Sequence, residues 1–155
     1  MRLVVLLLFI IGNFSFSQTP EQEAVKQTII TFFEGFHEGD TTKMRSVMMP
    51  KVAVQTAYFN KEGEGKLVDE GEPDKLLNAI ANRPLDQKWE ERLLDFNIQI
   101  DANMANTWVD YEFWFNDKFS HCGVNSFQLV KTEGFWKIIY LIDSRRRANC
   151  KSSEN

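Results

Sequence analysis

The alternation of apolar and polar residues divides the chain into an early part with helical periodicity and a late part with strand periodicity. In "TPEQEAVKQTIITFFEGFHEGD" apolar residues recur every three or four positions, which predicts one helix with a single apolar face. Thr19 is the expected N-cap, Pro20 occupies the first helical position, and Gln22 completes a capping box. Asp40 is expected to cap a short second helix over residues 41–48.

The middle of the chain switches from strand to helix. "KVAVQTAYFN" is rich in β-branched and aromatic residues, "KEGEGK" is a glycine turn, and "KLVDE" predicts a second strand. "GEPDKLLNAIANRP" predicts a third helix that begins at Pro73 and ends before Pro84. Its apolar face would consist of Leu76, Leu77 and Ile80.

From Trp89 onward the pattern is of strands and short turns. Four long strands are expected in "WEERLLDFNIQI", "NTWVDYEFWF", "FSHCGVNSFQLV" and "FWKIIYLIDS". Their short connections predict an antiparallel meander. The complete order is α-α-β-β-α-β-β-β-β. We therefore expect an α+β protein in which three helices cover one face of a curved, mostly antiparallel sheet.

The N-terminus has the pattern of a signal peptide, which we assign to residues 1–17. Arg2 supplies a positive charge, and Leu3–Ile11 form an apolar run that is too short to cross a bilayer, which takes about 20 residues. Ser17 is the small residue expected before the cleavage site, so the mature chain would begin at Gln18. The protein is thus expected to be exported to the periplasm or secreted.

The exported part is expected to form one domain over residues 18–148, followed by a polar tail over residues 149–155. Removing Arg2 leaves 17 basic against 22 acidic residues. This acidic balance argues against nucleic-acid binding, which depends on neutralising phosphates with lysine and arginine. It also argues against an anionic membrane surface, and we expect no stable membrane insertion.

Both cysteines, Cys122 and Cys150, lie in the exported part, so their even number predicts one disulfide. Closing this loop within the chain would contribute ~3.5 kcal/mol through loss of unfolded-state entropy. An intermolecular bridge at a dimer interface is the alternative. Two cysteines and two histidines at these spacings do not suit a structural zinc site, so we expect no metal and no cofactor.

The element order resembles that of the nuclear transport factor 2-like (NTF2-like) superfamily, which includes SnoaL-type cyclases, ketosteroid isomerase and scytalone dehydratase. The resemblance covers residues 20–146 and rests also on the "TFFEGFHEGD" helix ending, the "EGFWKII" hairpin and the final "DSRRR". It implies a cone whose open end is a mostly apolar pocket. It also implies a homodimer formed through the outer sheet face.

Strand alternation predicts which residues face that pocket. If "KTEG" is a four-residue loop, Asn125 pairs with Tyr140. A two-residue turn at 116–117 would place His121 opposite Glu112 and Asn125 opposite Trp108. A three-residue turn would instead place Phe113 opposite His121 and expel Glu112 from the pocket.

With the two-residue turn, Glu112 and His121 form a carboxylate–imidazole pair suited to acid–base catalysis. The alternative is a polar pair that only orients the pocket wall. The expected ligand-binding residues are Trp108, Asn125, Tyr140, Trp114, Phe33 and Tyr58. Because neighbours in a strand point to opposite faces, Cys122 is not expected to act with His121.

Three functions remain open at this point. The first is a binding domain for a small apolar or aromatic molecule, which the aromatic pocket residues favour. The second is a cofactor-free isomerase, cyclase or dehydratase of the SnoaL or ketosteroid isomerase type. The third is an interaction domain that dimerises or docks a partner through the outer sheet face.

Overall fold

The computed structural model describes residues 18–71 and 73–151, so the predicted signal peptide lies outside the described residues. The elements follow the predicted order and confirm the α+β class. They are α1 (Pro20–Glu38), α2 (Thr41–Ser46), β1 (Met48–Phe59), β2 (Gly65–Gly71), α3 (Pro73–Ala81), β3 (Trp89–Asp101), β4 (Met104–Phe115), β5 (Lys118–Thr132) and β6 (Phe135–Arg146).

The six strands form one sheet in the order β2-β1-β6-β5-β4-β3. Strands β3 to β6 are the predicted antiparallel meander, and β1 joins its edge parallel to β6. The helices pack on one face of the sheet, which we call the inner face; the opposite face is the outer face. None of the helices within the described part of the chain is long and apolar enough to cross a membrane.

The first helix begins as the sequence predicts. The hydroxyl of Thr19 accepts a hydrogen bond from the backbone N–H of Gln22, whose side chain accepts one from the backbone of Thr19. This capping box satisfies amide groups that a helix start leaves unpaired. The helix then buries Val25 and Ile29 completely against the inner face of the sheet.

The second helix is shorter than predicted, since it ends at Ser46 rather than at residue 48. The carbonyl of Val47 accepts a hydrogen bond from the backbone N–H of Ile138, and Met48 pairs with Ile138 in the sheet. Pairing with β6 therefore draws these residues into β1.

The predicted four-residue loop between β5 and β6 is wrong. Thr132 pairs with Phe135, which leaves a two-residue turn of Glu133 and Gly134, both with positive φ (53° and 85°). Such a turn matches the right-handed twist of the flanking strands. A register shift at Ile139 then changes the pairing once more. Asn125 consequently lies opposite Asp143, not Tyr140.

The predicted two-residue turn between β4 and β5 is confirmed, because Phe115 pairs with Lys118. The pairing predicted from it is wrong, because β5 carries an extra residue at Ser120. Beyond this bulge His121 lies opposite Phe113, and Glu112 lies opposite Cys122. One extra residue in a strand is enough to move the side chains beyond it to the opposite face of the sheet, relative to the expected pairing.

The predicted disulfide is confirmed, with Cys122 and Cys150 joined and their Cα atoms 5.8 Å apart. It holds the segment after β6 against the outer face of the sheet. On the same face the Lys151 ammonium lies 2.7 Å from the Asp110 carboxylate, which is buried. The chain therefore continues its contacts beyond the predicted domain boundary.

Candidate functional site

A cavity of about 300 Å³ lies between α1, α3 and the inner face of the sheet. Its aromatic lining residues, which we call the aromatic side, are Phe32, Phe33, Phe36, Trp89 and Phe113. Its polar lining residues, which we call the polar side, are Thr56, Glu70, Lys75, Glu91, Tyr111, His121, Asn125, Asp143 and Arg145. This division suits a ring compound that carries a few polar groups.

The centre of the polar side is a hydrogen bond between strands β3 and β5. The amide nitrogen of Asn125 donates to Oε1 of Glu91 over 2.5 Å. The backbone N–H of Glu91 donates in turn to Nε2 of His37, over 2.9 Å. Because Nε2 accepts this bond, neutral His37 carries its proton on Nδ1. The histidine at the end of α1 thus positions the strand that presents Glu91.

Glu91 has the most perturbed carboxyl group of the cavity. Burial raises the pKa of Glu91 to about 8, and the neighbouring Asp143 charge acts in the same direction. The hydrogen bond from Asn125 and the charge of Arg145 lower the pKa of Glu91, but by less than burial raises it. At neutral pH this carboxyl is therefore mostly protonated and can donate a hydrogen bond.

A second polar network lies between β4 and β6. The Tyr111 hydroxyl is 3.3 Å from Oδ2 of Asp143 and 3.1 Å from the carbonyl oxygen of Ser144. The guanidinium of Arg145 donates to Asp143 over 2.6 Å, and the Thr56 hydroxyl donates to the same carboxylate over 2.5 Å. Burial raises the pKa of Tyr111 above its usual range, so this residue remains a phenol.

Gly123 allows this network to form. A Cβ atom at this position would lie 1.7 Å from the Ser144 carbonyl oxygen and 2.8 Å from a ring carbon of Tyr111. No side chain fits between these groups, so β5 and β6 approach closely only because residue 123 is glycine.

His121 lies at the edge of the cavity with its ring 5.0 Å from that of Phe113. Its Nδ1 is 3.1 Å from the Ser120 hydroxyl. Burial lowers the pKa of His121 to about 4, and the charge of Arg145 adds to this effect. The imidazole is therefore neutral at physiological pH.

The structure brings three of the predicted site residues together, because His121, Asn125 and Phe33 line the cavity. Tyr58, which is 38% exposed, borders a second cavity that adjoins the first.

The other four predicted residues lie away from the cavity. Trp108 is 54% exposed between Thr107 and Val109, which are fully buried on the inner face. Trp114 donates to Glu112 over 3.2 Å. The hydroxyl of Tyr140 donates to the Gln55 side chain over 2.6 Å. The bulges in β5 and β6 reverse the faces expected for these residues, so the predicted pocket position of each is wrong.

Sequence reasoning missed the roles of Glu91, Asp143 and Arg145 in the cavity. Glu91 belongs to "WEER", where three consecutive charged residues hide the alternation of the strand. A usable signal existed in β6, because Leu141, Asp143 and Arg145 alternate and therefore share a face.

Residues 20–140 match the family described as "Putative lumazine-binding", and the chain belongs to this family. Its fold is that of the NTF2-like superfamily. No sequence among curated proteins matches the chain significantly.

Solved structures from several organisms share the fold. An NTF2-like protein from Cytophaga hutchinsonii superposes with a TM-score of 0.66 at 10% identity, over 83% of this chain and 100% of that chain. An NTF2-like protein of unknown function from Shewanella baltica gives 0.57 at 18% identity, over 85% and 100%. The CaMKII hub of S. rosetta gives 0.62 at 18% identity, over 80% and 95%. At these identities the similarity shows the fold alone.

Proposed function

We propose that the protein binds a small planar heteroaromatic compound in the cavity. The observation that carries this proposal is that five aromatic residues line the cavity together with a group of polar residues. Aromatic side chains such as Phe33 and Trp89 offer faces and edges to a flat ring, and burial of that ring supplies most of the affinity. The description of the family supports lumazine, a bicyclic ring with lactam groups, as the first compound to test.

The polar side suits the edge of such a ring. The bond between Asn125 and Glu91 uses one carboxyl oxygen and the amide nitrogen. Within the described part of the chain, no other hydrogen bond engages the second oxygen of Glu91 or the amide oxygen of Asn125. A protonated Glu91 and the Asn125 carbonyl therefore present a donor beside an acceptor. A lactam, with its adjacent C=O and N–H, complements this pair.

The binding test is calorimetric titration of the disulfide-bonded protein with lumazine. Ala79 is exposed on α3 and lines the cavity, so Ala79→Trp should block the cavity without disturbing the core. Ala81→Trp is the matched control, because Ala81 is exposed on the same helix but borders a different surface. We expect Ala79→Trp to weaken binding at least about tenfold, which corresponds to about 1.4 kcal/mol. Equal affinity in both variants, or no binding to the unmodified protein, would refute the proposal.

Acid–base catalysis on a bound carbonyl compound is the second candidate. It is favoured by the pKa of about 8 at Glu91, because a proton carrier works best when its pKa is near the operating pH. The test is NMR detection of deuterium uptake by 2-tetralone, an enolisable aromatic ketone, in D2O. Uptake that the protein accelerates and Glu91→Gln abolishes would support catalysis. If deuterium uptake is no faster with the protein than in buffer alone, the catalytic candidate is refuted and the binding proposal remains.

We also propose that the protein acts outside the cytoplasm. Supporting this are the apolar N-terminal pattern and the disulfide, since such bridges persist in oxidising compartments. Intact-mass analysis of the exported protein should find a chain that begins at Gln18. Recovery of the chain with residues 1–17 still attached would contradict export with cleavage.

We also propose that the protein forms a homodimer through the outer face of the sheet. Met104 and Trp108 are 55% and 54% exposed on that face of β4, and exposed apolar groups of this size often mark an interface. Sedimentation should show a dimer that Trp108→Glu dissociates. A monomer at all concentrations would refute it.

A further inference from the structure

A second cavity adjoins the ring-binding cavity, and we call it the mouth. It has a volume of about 570 Å³ and shares Thr56, Glu70, His121 and Arg145 with the first cavity. The two cavities therefore adjoin at these four residues, and a ligand seated in the inner cavity lies next to the mouth. The two cavities differ in chemistry, because the phenylalanines of α1 line only the first, whereas three consecutive arginines line the second.

The mouth is strongly basic although the whole chain has a formal net charge of −4. Four cationic residues line it: Lys61, Arg145, Arg146 and Arg147. Among the residues that the structure describes, the carboxylate that lines the mouth is Glu70, which lies 3.4 Å from the Lys75 ammonium. Asp143 in the adjoining cavity offsets much of the Arg145 charge. Counted over the described lining residues, the remaining cations give the mouth a net positive charge.

The basic groups are held in place by the fold. Arg145 is fixed by Asp143 and by a 3.1 Å contact with the Thr56 hydroxyl. Arg146 donates through Nε to the carbonyl oxygen of Asn149 over 3.3 Å. Arg147 follows directly, only three positions before the disulfide-bonded Cys150. The disulfide thus restrains the segment that follows β6.

His121 connects the two cavities. Its ring contacts Phe113 on the inner side and lines the mouth on the other. Arg145 and Arg147 line the mouth together with His121, and their positive charges help to lower the pKa of its imidazole.

We propose that the mouth is a binding subsite for an anionic substituent, a carboxylate or a phosphate, carried by the ring compound in the inner cavity. This inference rests on the proposed ring binding. Arginine suits the role because its planar guanidinium donates in pairs to carboxylate and phosphate oxygens. Charges at such an open site also attract an anion from a distance, and salt weakens that attraction.

The test compares ligands that differ only in the anionic group. Lumazine is paired with lumazine-6-carboxylate, and riboflavin is paired with its 5′-phosphate, which places a phosphate on a longer chain. At low ionic strength we expect the anionic member of at least one pair to bind about tenfold tighter than its neutral partner. In about 0.5 M KCl this preference should shrink, since the screening length falls to a few ångströms. The pair with the larger preference shows whether a carboxylate or a phosphate fits the subsite.

The variant that tests the subsite is Lys61→Gln combined with Arg147→Gln, which removes two exposed cations from the mouth. It should reduce the preference for the anionic ligands severalfold, since Arg146 remains in the mouth, and leave the affinity for the neutral ring within about twofold, because neither residue borders the inner cavity. Lys51→Gln is the control for the loss of one surface charge, because Lys51 is exposed on β1 and lies outside the mouth.

The outcomes separate the two proposals. If neutral rings bind but both pairs show equal affinities, or if the double variant keeps the preference, the anionic subsite is refuted and ring binding stands. If neither neutral nor anionic members bind, ring binding fails and the subsite fails with it.

Discussion

The two ends of the inner sheet face differ although the same strands build both. In β5, Phe127 and Leu129 are fully buried at one end, which we call the closed end. Two and four residues earlier on the same face lie Asn125 and Gly123, at the end that contains the cavity, which we call the open end. The closed end is filled with side chains from α1 and the sheet, and the open end is not.

This difference separates stability from function. At the closed end apolar side chains are removed from water and packed in the core, which stabilises the fold. At the open end polar residues such as Glu91 and Asp143 lie in a partly dry site, where keeping charge is costly. Burial of Glu91 opposes folding at neutral pH and above, but the network provides the groups that can recognise a ligand.

The largest expected effect tests this separation directly. Phe127→Ala should lower the free energy of unfolding by about 3–5 kcal/mol, because it removes a fully buried ring and leaves a void. Phe113→Ala at the open end should cost about half as much, because that ring already borders a cavity. Urea denaturation at neutral pH measures both. Equal losses would show that the open end is as tightly packed as the closed end.

The disulfide is expected to stabilise the open end from its outer side. Replacing Cys122 and Cys150 together by alanine should lower the free energy of unfolding by about 3 kcal/mol, mainly through a larger unfolded-state entropy. Hydrogen exchange should accelerate first near residues 144–147, the end of β6 that the bridge restrains. Titration of the denatured, unreduced wild type should find no free thiol, and two thiols per chain would contradict the bridge.

Glu91 should make the protein less stable as pH rises. An ion-paired carboxylate has the opposite effect. The folded-state pKa of Glu91, about 8, lies above the unfolded value, so the unfolded chain loses this proton first as pH rises. Glu91 therefore lowers stability progressively between about pH 4.5 and pH 8. Glu91→Gln should raise the free energy of unfolding by about 2 kcal/mol at pH 8 and change it little at pH 4. A gain that is equal at both pH values would contradict the assignment.

The smallest effect concerns a polar atom at the closed end. The Thr107 hydroxyl is fully buried and has no hydrogen-bond partner among the described residues. Thr107→Val keeps the shape and removes the unpaired group, so it should stabilise the protein by up to about 1 kcal/mol. Thermal unfolding would detect the rise in Tm, and a fall would show that the hydroxyl makes a contact in solution.

Local patterns predicted much of the fold. The capping box at Thr19, the apolar stripe of α1 and the turn at Asn116-Asp117 each depend on residues close in sequence, and each is confirmed. The pairing of Cys122 with Cys150 followed from an even count of cysteines after the predicted signal peptide. Of the cavity residues, Phe33, His121 and Asn125 were predicted.

The remaining cavity residues were not predictable in this way. Side chains in a strand alternate with a period of two, so a single extra residue moves every later side chain to the other face. The bulge at Ser120 and the shift at Ile139 do this to the pairs expected around Glu112 and Tyr140. No local pattern marks either position, because a bulge depends on how the strand packs against its neighbours.

The sequence alone thus determined the helices and strands, their order along the chain and the disulfide. These features depend on short-range preferences and on composition. Packing of distant segments determined which polar groups share the cavity. Glu91 and Asn125 are 34 positions apart in sequence. Their strands, β3 and β5, both lie next to β4, and the curvature of the sheet brings the two side chains into contact. The raised pKa of Glu91 has the same origin, because burial arises only when those segments come together.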